Sequence, residues 1–161
     1  MSLYAASVPV FRHYLGRLRA LVDQAQAAGQ IDARLAPDMH PFHLQVAIAA
    51  HFALRASFPL AGEPVPAFGD FPPTADGLRA RIDRAAALLA GLEPARFDGA
   101  EARTITGDAG EATLTWPAAD FLHLHALPNF FFHLTTAYAV LRAHGVPLGK
   151  RDFDGQHRYP G

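Results

Sequence analysis

Residues 123–145, "HLHALPNFFFHLTTAYAVLRAHG", decide how this chain folds. Leu124, Leu127, Phe131, Leu134, Tyr138 and Leu141 recur at alternating spacings of three and four, which predicts one apolar stripe along a helix. Pro128 lies inside that helix. It has no N–H for the carbonyl of Leu124 and its ring crowds that carbonyl, so a kink is expected, with a side chain or water taking the freed oxygen. His125, Asn129 and His133 follow each other at four-residue spacing on an adjacent face. The run Phe130, Phe131 and Phe132 covers most of the helix girth, so at least one ring is expected to pack on the hairpin, the tail or a second subunit.

Three further helices are predicted upstream. From about Leu3 to Ala28 a stripe of Tyr4, Val8, Phe11, Leu15, Leu18 and Val22 is closed by Gly29. Pro9 means that this helix either begins near Ser7 or bends there. The second, "PFHLQVAIAAHFALRASF", places Pro41 in its first turn and Phe42, Val46, Ala49 and Ala53 on one face, widened by Leu44, Ile48 and Phe52. A Pro/Gly-rich loop follows, expected to drape over the bundle through Phe68 and Phe71. Thr74 then caps a third helix with the stripe Leu78, Ile82, Ala85, Leu89 and Leu92. In "ARTITGDAGEATLTW" the period changes to two, which predicts a β-hairpin turning at "GDAG" before Pro117 opens the last helix. The expected fold is all-α, a four-helix bundle with the hairpin inserted before the last helix.

Composition narrows the function. The chain has 161 residues, enough for one domain with a sizeable core; 50% are hydrophobic and 18% charged. A net charge of −1 argues against a nucleic-acid partner. No apolar run approaches a membrane span, and the N-terminal segment lacks a signal-peptide pattern, so a cytoplasmic protein is expected. Thirteen of the 14 basic residues are arginine, a bias that fits a bacterial genome rich in G and C. With no cysteine, thiolate metal sites, disulfides and a cysteine nucleophile are excluded. No HExxH, GxSxG, phosphate loop or dinucleotide fingerprint is present.

The candidate site is therefore built from His125, Asn129 and His133, with His51 of the second helix as the outside helper. Eight residues of helix rise roughly 12 Å, so His125 and His133 are poor joint ligands of one ion without a bend. Asparagine is a weak ligand for zinc or nickel. Hydrogen-bonded polar groups in a bundle core, or at a dimer interface, account well for these residue types, and the spacing alone is a weak signal for a metal site. Asp120 with His123, and Arg34 with Asp38, read as local ion pairs.

The segments "YAASVPVF", "ARLAPDMHPFHLQV", "AEARTI", "LHALPNFFFHLTTAYAVLR" and "GVPLGKRDF" together resemble an uncharacterised bacterial domain-of-unknown-function family grouped with the DinB-like (YfiT-like) four-helix bundles. The resemblance covers residues 1–153 as a single domain and leaves 154–161 as a tail. It implies a homodimer in a superfamily whose members often hold one divalent metal ion through three histidines. One comes from the second helix, where His51 is the candidate, and an HxxxH pair comes from the last. In this chain that pair reads Asn129 and His133. Two functions follow as expectations. One is a divalent-metal-dependent transferase or hydrolase acting on a small molecule, its zinc or nickel held by His51, His133 and either Asn129 or His125. The other is a homodimer that binds a small-molecule ligand between its helices.

Overall fold

The structure, a computed structural model, describes residues 2–158. Helix α1 spans Val8–Ala28. Ser7 stands at its N-cap and Pro9 in its first turn, so the helix begins there and does not bend. The Ser7 hydroxyl does not cap; it donates back to the Leu3 carbonyl at 2.6 Å. Gly29, at φ 68°, closes the helix with its N–H on the Ala25 and Gln26 carbonyls. The predicted stripe from Val8 to Val22 is buried, joined by Leu21 and Ala25.

Helix α2 spans Phe42–Leu60, with Pro41 at the N-cap. Phe42, Val46, Ala49 and Ala53 are buried as expected, but the arc widens to the side opposite the predicted one. Gln45, Ala50, Leu54 and Ser57 are buried, whereas Leu44 is exposed and Ile48 and Phe52 are half-buried. The reason lies in the neighbours, since α2 packs both on α3 and on the long helix that follows the hairpin. Its alanines let those helices approach closely.

Helix α3 spans Ala75–Ala90, and Thr74 caps it by accepting the Gly77 N–H at 3.2 Å. Leu78, Ile82, Ala85 and Leu89 are buried in register, with Leu92 just beyond. Outside the core, Arg19 meets Asp83 and Arg79 meets Asp23, two largely exposed pairs joining α1 to α3. The loop between α2 and α3 lies over the bundle as expected: Phe68 packs on the core and contacts Phe71, and the Arg81 guanidinium covers both rings.

After short 3₁₀ turns at Pro94–Phe97 and Ala100–Ala102, strand β1 (Thr104–Ala109) pairs antiparallel with β2 (Ala112–Pro117). Ile105 stands opposite Trp116 and Gly107 opposite Leu114. The turn falls at Gly110–Glu111, with Gly110 at φ 64°, so the predicted "GDAG" turn is corrected by two residues. Asp108 and Ala109 keep their partners and belong to the strand.

Among the described residues the α-helices number six where four were expected, three of them after the hairpin and two of those short. Helix α4 (Ala118–Asp120) runs into a π-wound turn over Phe121–Ala126, then into α5 (Leu127–Ala143), and a short α6 (Lys150–Asp154) packs on α1. The Leu127 N–H reaches the Leu122 carbonyl, five residues back. This wider winding is how the chain passes Pro128, which sits in the first turn of α5. It also moves the core stripe. Ala118, Leu122, Ala126, Phe130, Leu134, Ala137 and Leu141, mostly four apart, form its central row, with Phe121, Thr136 and Val140 buried beside them. On a regular helix a step of four drifts about 40°, and the π turn absorbs the drift. Leu134 and Leu141 keep their predicted places, but Leu124 is 73% exposed and Phe131 gives the core to Phe130.

The predicted tail from residue 154 begins inside the packed body. Asp154 is buried, its carbonyl pairs with His13 Nε2 at 2.8 Å, and its carboxylate holds the N–H groups of Gln156 and His157. Residues 159–161 of that tail lie outside the described residues. No helix among the described residues is long and apolar enough to cross a membrane.

Candidate functional site

The row His125, Asn129 and His133 straddles the start of α5 and faces α2, where Phe52 meets it. The Phe52 ring lies with its centroid 6.0 Å from that of His125, edge-on, and 6.0 Å from that of His133, stacked. A phenyl ring therefore separates the two imidazoles. Asn129 does not point at either as a ligand would. Its amide donates to the His125 carbonyl at 2.7 Å, with the His125 Nδ1 at 3.5 Å. Asn129 supplies a side-chain donor to the backbone of the proline-disturbed turn, at the carbonyl one residue after that of Leu124, for which a partner was expected.

His133 has a partner on α2, Gln45, which spacing along its own helix does not reveal. Its Nδ1 lies 2.7 Å from Oε1 of Gln45, and Gln45 Nε2 donates to the His40 carbonyl at 3.2 Å. A carbonyl can only accept, so Gln45 must turn its NH₂ toward His40 and its oxygen toward His133. His133 then carries its proton on Nδ1 and leaves a lone pair on Nε2. Burial holds the imidazole below its ordinary range, with a smaller contribution from His40, so it is neutral near pH 7. Gln45 was legible in one respect, since it is a lone amide one residue before the core position Val46.

His51 sits on another face of α2. It stacks on Phe68, with ring centroids 5.7 Å apart, and lines a groove with Arg55 and Arg81. Burial depresses its pKa first, and the two guanidiniums add to the effect. It makes no hydrogen bond or ring contact with His125, Asn129 or His133; its neighbour Phe52, about 100° round α2, meets the two last-helix histidines while His51 meets Phe68.

His125 belongs to an aromatic nest. Trp116 stacks on it at 4.6 Å, Phe121 lies 5.7 Å away, and burial followed by the Arg55 charge lowers its pKa. It lines a cavity of about 160 Å³ between α2, β1 and the π-wound turn, with Phe52, Arg55, Ile105 and Phe121. The Arg55 guanidinium covers Phe52 at 5.0 Å and donates to the Asp108 carbonyl at 3.0 Å, which fixes the hairpin to α2.

These side chains do not fit the three-histidine metal site that the resemblance implies. The partner of His133 is the Gln45 amide, a poor ligand for zinc or nickel, the Asn129 amide is committed to the His125 carbonyl, and only His40 acts on His133 as a further imidazole. Among the described residues no group of three or more His, Cys, Asp or Glu side chains could hold a metal ion.

Residues 3–154 match the family described as "Domain of unknown function (DUF1993)". The chain belongs to that family. A solved structure of a DinB family member protein from Shewanella denitrificans is similar to this DUF1993 chain over 99% of its length and 95% of the other, at 33% identity and a TM-score of 0.83. The fold is thus DinB-like, mostly helical with one small hairpin. No curated protein matches the chain.

Proposed function

We propose that this DUF1993 protein is a homodimer of DinB-like four-helix bundles that binds a small molecule at an unusual site, the cavity beside His125. One observation carries the reading. His125 offers an imidazole lowered in pKa by burial, its ring making no hydrogen bond stronger than the 3.5 Å contact to Asn129, to a cavity with Phe52, Phe121, Ile105 and Val65 on its apolar side and Arg55, Thr106 and Asp108 on its polar side. A concave space with an apolar wall and a few placed polar groups is the usual make-up of a ligand pocket, and the volume suits a single aromatic ring. Dimerisation draws support from the outer face of α5 and the α1–α2 connector, where Phe132 is 57% and Leu35 42% exposed around an apolar depression with Phe131 and Ala139.

Phenol is a suitable probe, because its ring fills such a cavity and its hydroxyl can donate to His125. Phenol should raise the melting temperature of the wild-type protein and lose most of that effect in His125→Leu. Equal stabilisation of both would refute the site. Light scattering should give a dimer that Phe132→Glu dissociates, whereas a wild-type monomer would refute the assembly.

The alternative is a divalent-metal-dependent transferase or hydrolase acting on a small molecule. It draws on the Gln45 contact, which presents His133 in the tautomer that a metal ligand uses. Elemental analysis of protein purified without an affinity tag separates the readings. Stoichiometric zinc or nickel lost in His133→Ala favours the enzyme; trace metal unchanged in His51→Ala and His133→Ala rejects it.

A further inference from the structure

On the other side of Phe52 the chain treats two arginines unlike their neighbours. Along α3, Arg79 is bound by Asp23, Asp76 and Gln26. Arg81, two residues on, is half-buried and makes no hydrogen bond or ion pair. The Phe68 and Phe71 rings, whose centroids are 5.7 Å apart, lie together beside its guanidinium at 5.0 and 5.1 Å, and its N–H groups are left to bind. Asp70 acts on it from outside ion-pair range and burial still depresses its pKa. Arg55 donates one N–H to the Asp108 carbonyl and has no carboxylate partner. Both guanidiniums act on His51, which places all three cationic or titratable groups around one groove.

That groove holds about 300 Å³ and its floor is apolar, formed by Leu44, Ala47, Ile48 and Phe52. No acidic side chain lines it. Burying a guanidinium without a carboxylate costs free energy that a bound anion would offset. We propose that the groove between α2 and α3 binds a small organic carboxylate, its anionic end on Arg81 and Arg55 and its apolar body against Ile48 and Phe52. A planar carboxylate matches the two-pronged N–H edge of a guanidinium, and the apolar floor favours an organic anion over a fully hydrated inorganic one. This site stands apart from the His125 cavity, sharing with it only Phe52 and Arg55.

Titration of the full chain with benzoate, followed by calorimetry or NMR, tests the proposal. Benzoate should bind saturably and more tightly than either benzyl alcohol or inorganic phosphate. Arg81→Gln and Arg55→Gln should each weaken it about tenfold or more, the size of a charge-assisted hydrogen bond. Arg84→Gln, an exposed change on the same helix, should leave it unaltered. If Arg81→Gln fails to fold, Arg81→Lys keeps the charge, loses the planar edge and should still weaken binding. Absence of saturable benzoate binding, equal binding by benzyl alcohol, preference for phosphate, or indifference to the arginine changes would each overturn it. Phenol stabilisation through His125 should survive Arg81→Gln, so failure of one site is distinguishable from failure of the other.

Discussion

Ser57 carries the clearest unmet cost at the scale of single residues. Its hydroxyl is fully buried in α2 and has no hydrogen-bond partner. An unpaired buried polar group costs about 1–3 kcal/mol, and alanine is also the better helix former. The small void left by the missing oxygen takes some of this back. Ser57→Ala is therefore expected to stabilise the protein by about 1 kcal/mol, raising the melting temperature by roughly 2–4 °C. A lower melting temperature would mean that the hydroxyl has a partner after all. Gln45 is the opposite case, a buried amide whose two ends are both satisfied by His40 and His133. Residue types in the sequence revealed the imidazoles and the asparagine but not these pairings. Which nitrogen of His133 is free depends on a glutamine 88 residues away, and spacing along one helix contains no such information. The Asn129 bond to the His125 carbonyl was not foreseen either, because the missing N–H of Pro128 pointed to the carbonyl of Leu124.

Among the elements, α3 was the most legible and α5 the least, for a common reason. Regular winding turns sequence spacing directly into faces, so Thr74 and the stripe from Leu78 to Leu89 could be placed at once. Around Pro128 the winding widens, and a stripe extrapolated at the regular period slips by one or two residues toward the N-terminus. That slip is why Leu124 looked like core and is exposed, while Leu122 and Phe130 took the buried positions. Even α3 hides one constraint in its first turn. Replacing a helical glycine by alanine ordinarily gains about 1 kcal/mol. At Gly77 a Cβ would lie 2.1 Å from the Pro72 carbonyl oxygen and 2.8 Å from the Pro72 Cγ. The obstacle is backbone in a proline-rich turn, which cannot swing aside as a side chain tip would. Overpacking should outweigh propensity, and Gly77→Ala should destabilise by about 1–3 kcal/mol in urea unfolding. A stabilised variant would show that the turn before Thr74 yields easily.

For the molecule as a whole, the apolar pattern and long matching segments brought out the helical fold and the family, because burial depends on many residues at once. The cavity and the arginine groove were out of reach, since each joins α2 to parts distant in sequence: β1 and the π turn in one case, α3 and the Phe68 loop in the other. Their joint consequence is a pH dependence. His43, His51, His125 and His133 all have pKa values lowered from the ordinary 6.5, burial being the main cause for each. A lowered histidine is neutral in the fold and gains its proton first in the unfolded chain. Stability from these groups is complete above pH 6.5 and falls as the pH drops below it, by at most about 1.4 kcal/mol per pH unit for each proton. Asp154 acts in a separate, more acidic range. The His157 and Gln156 N–H groups hold its carboxyl at about 2 against an ordinary 3.8, so its contribution persists above 3.8 and is lost toward pH 2. Urea unfolding from pH 8 to pH 5 should therefore show a midpoint that is level at the alkaline end and declines below pH 6.5. His133→Gln should flatten part of that decline, because it removes one proton uptake from the unfolded chain, while leaving the lower range governed by Asp154 unchanged. A midpoint independent of pH between 6.5 and 5, or a decline untouched by His133→Gln, would show that these imidazoles are not held neutral by the packing around Phe52 and Phe68.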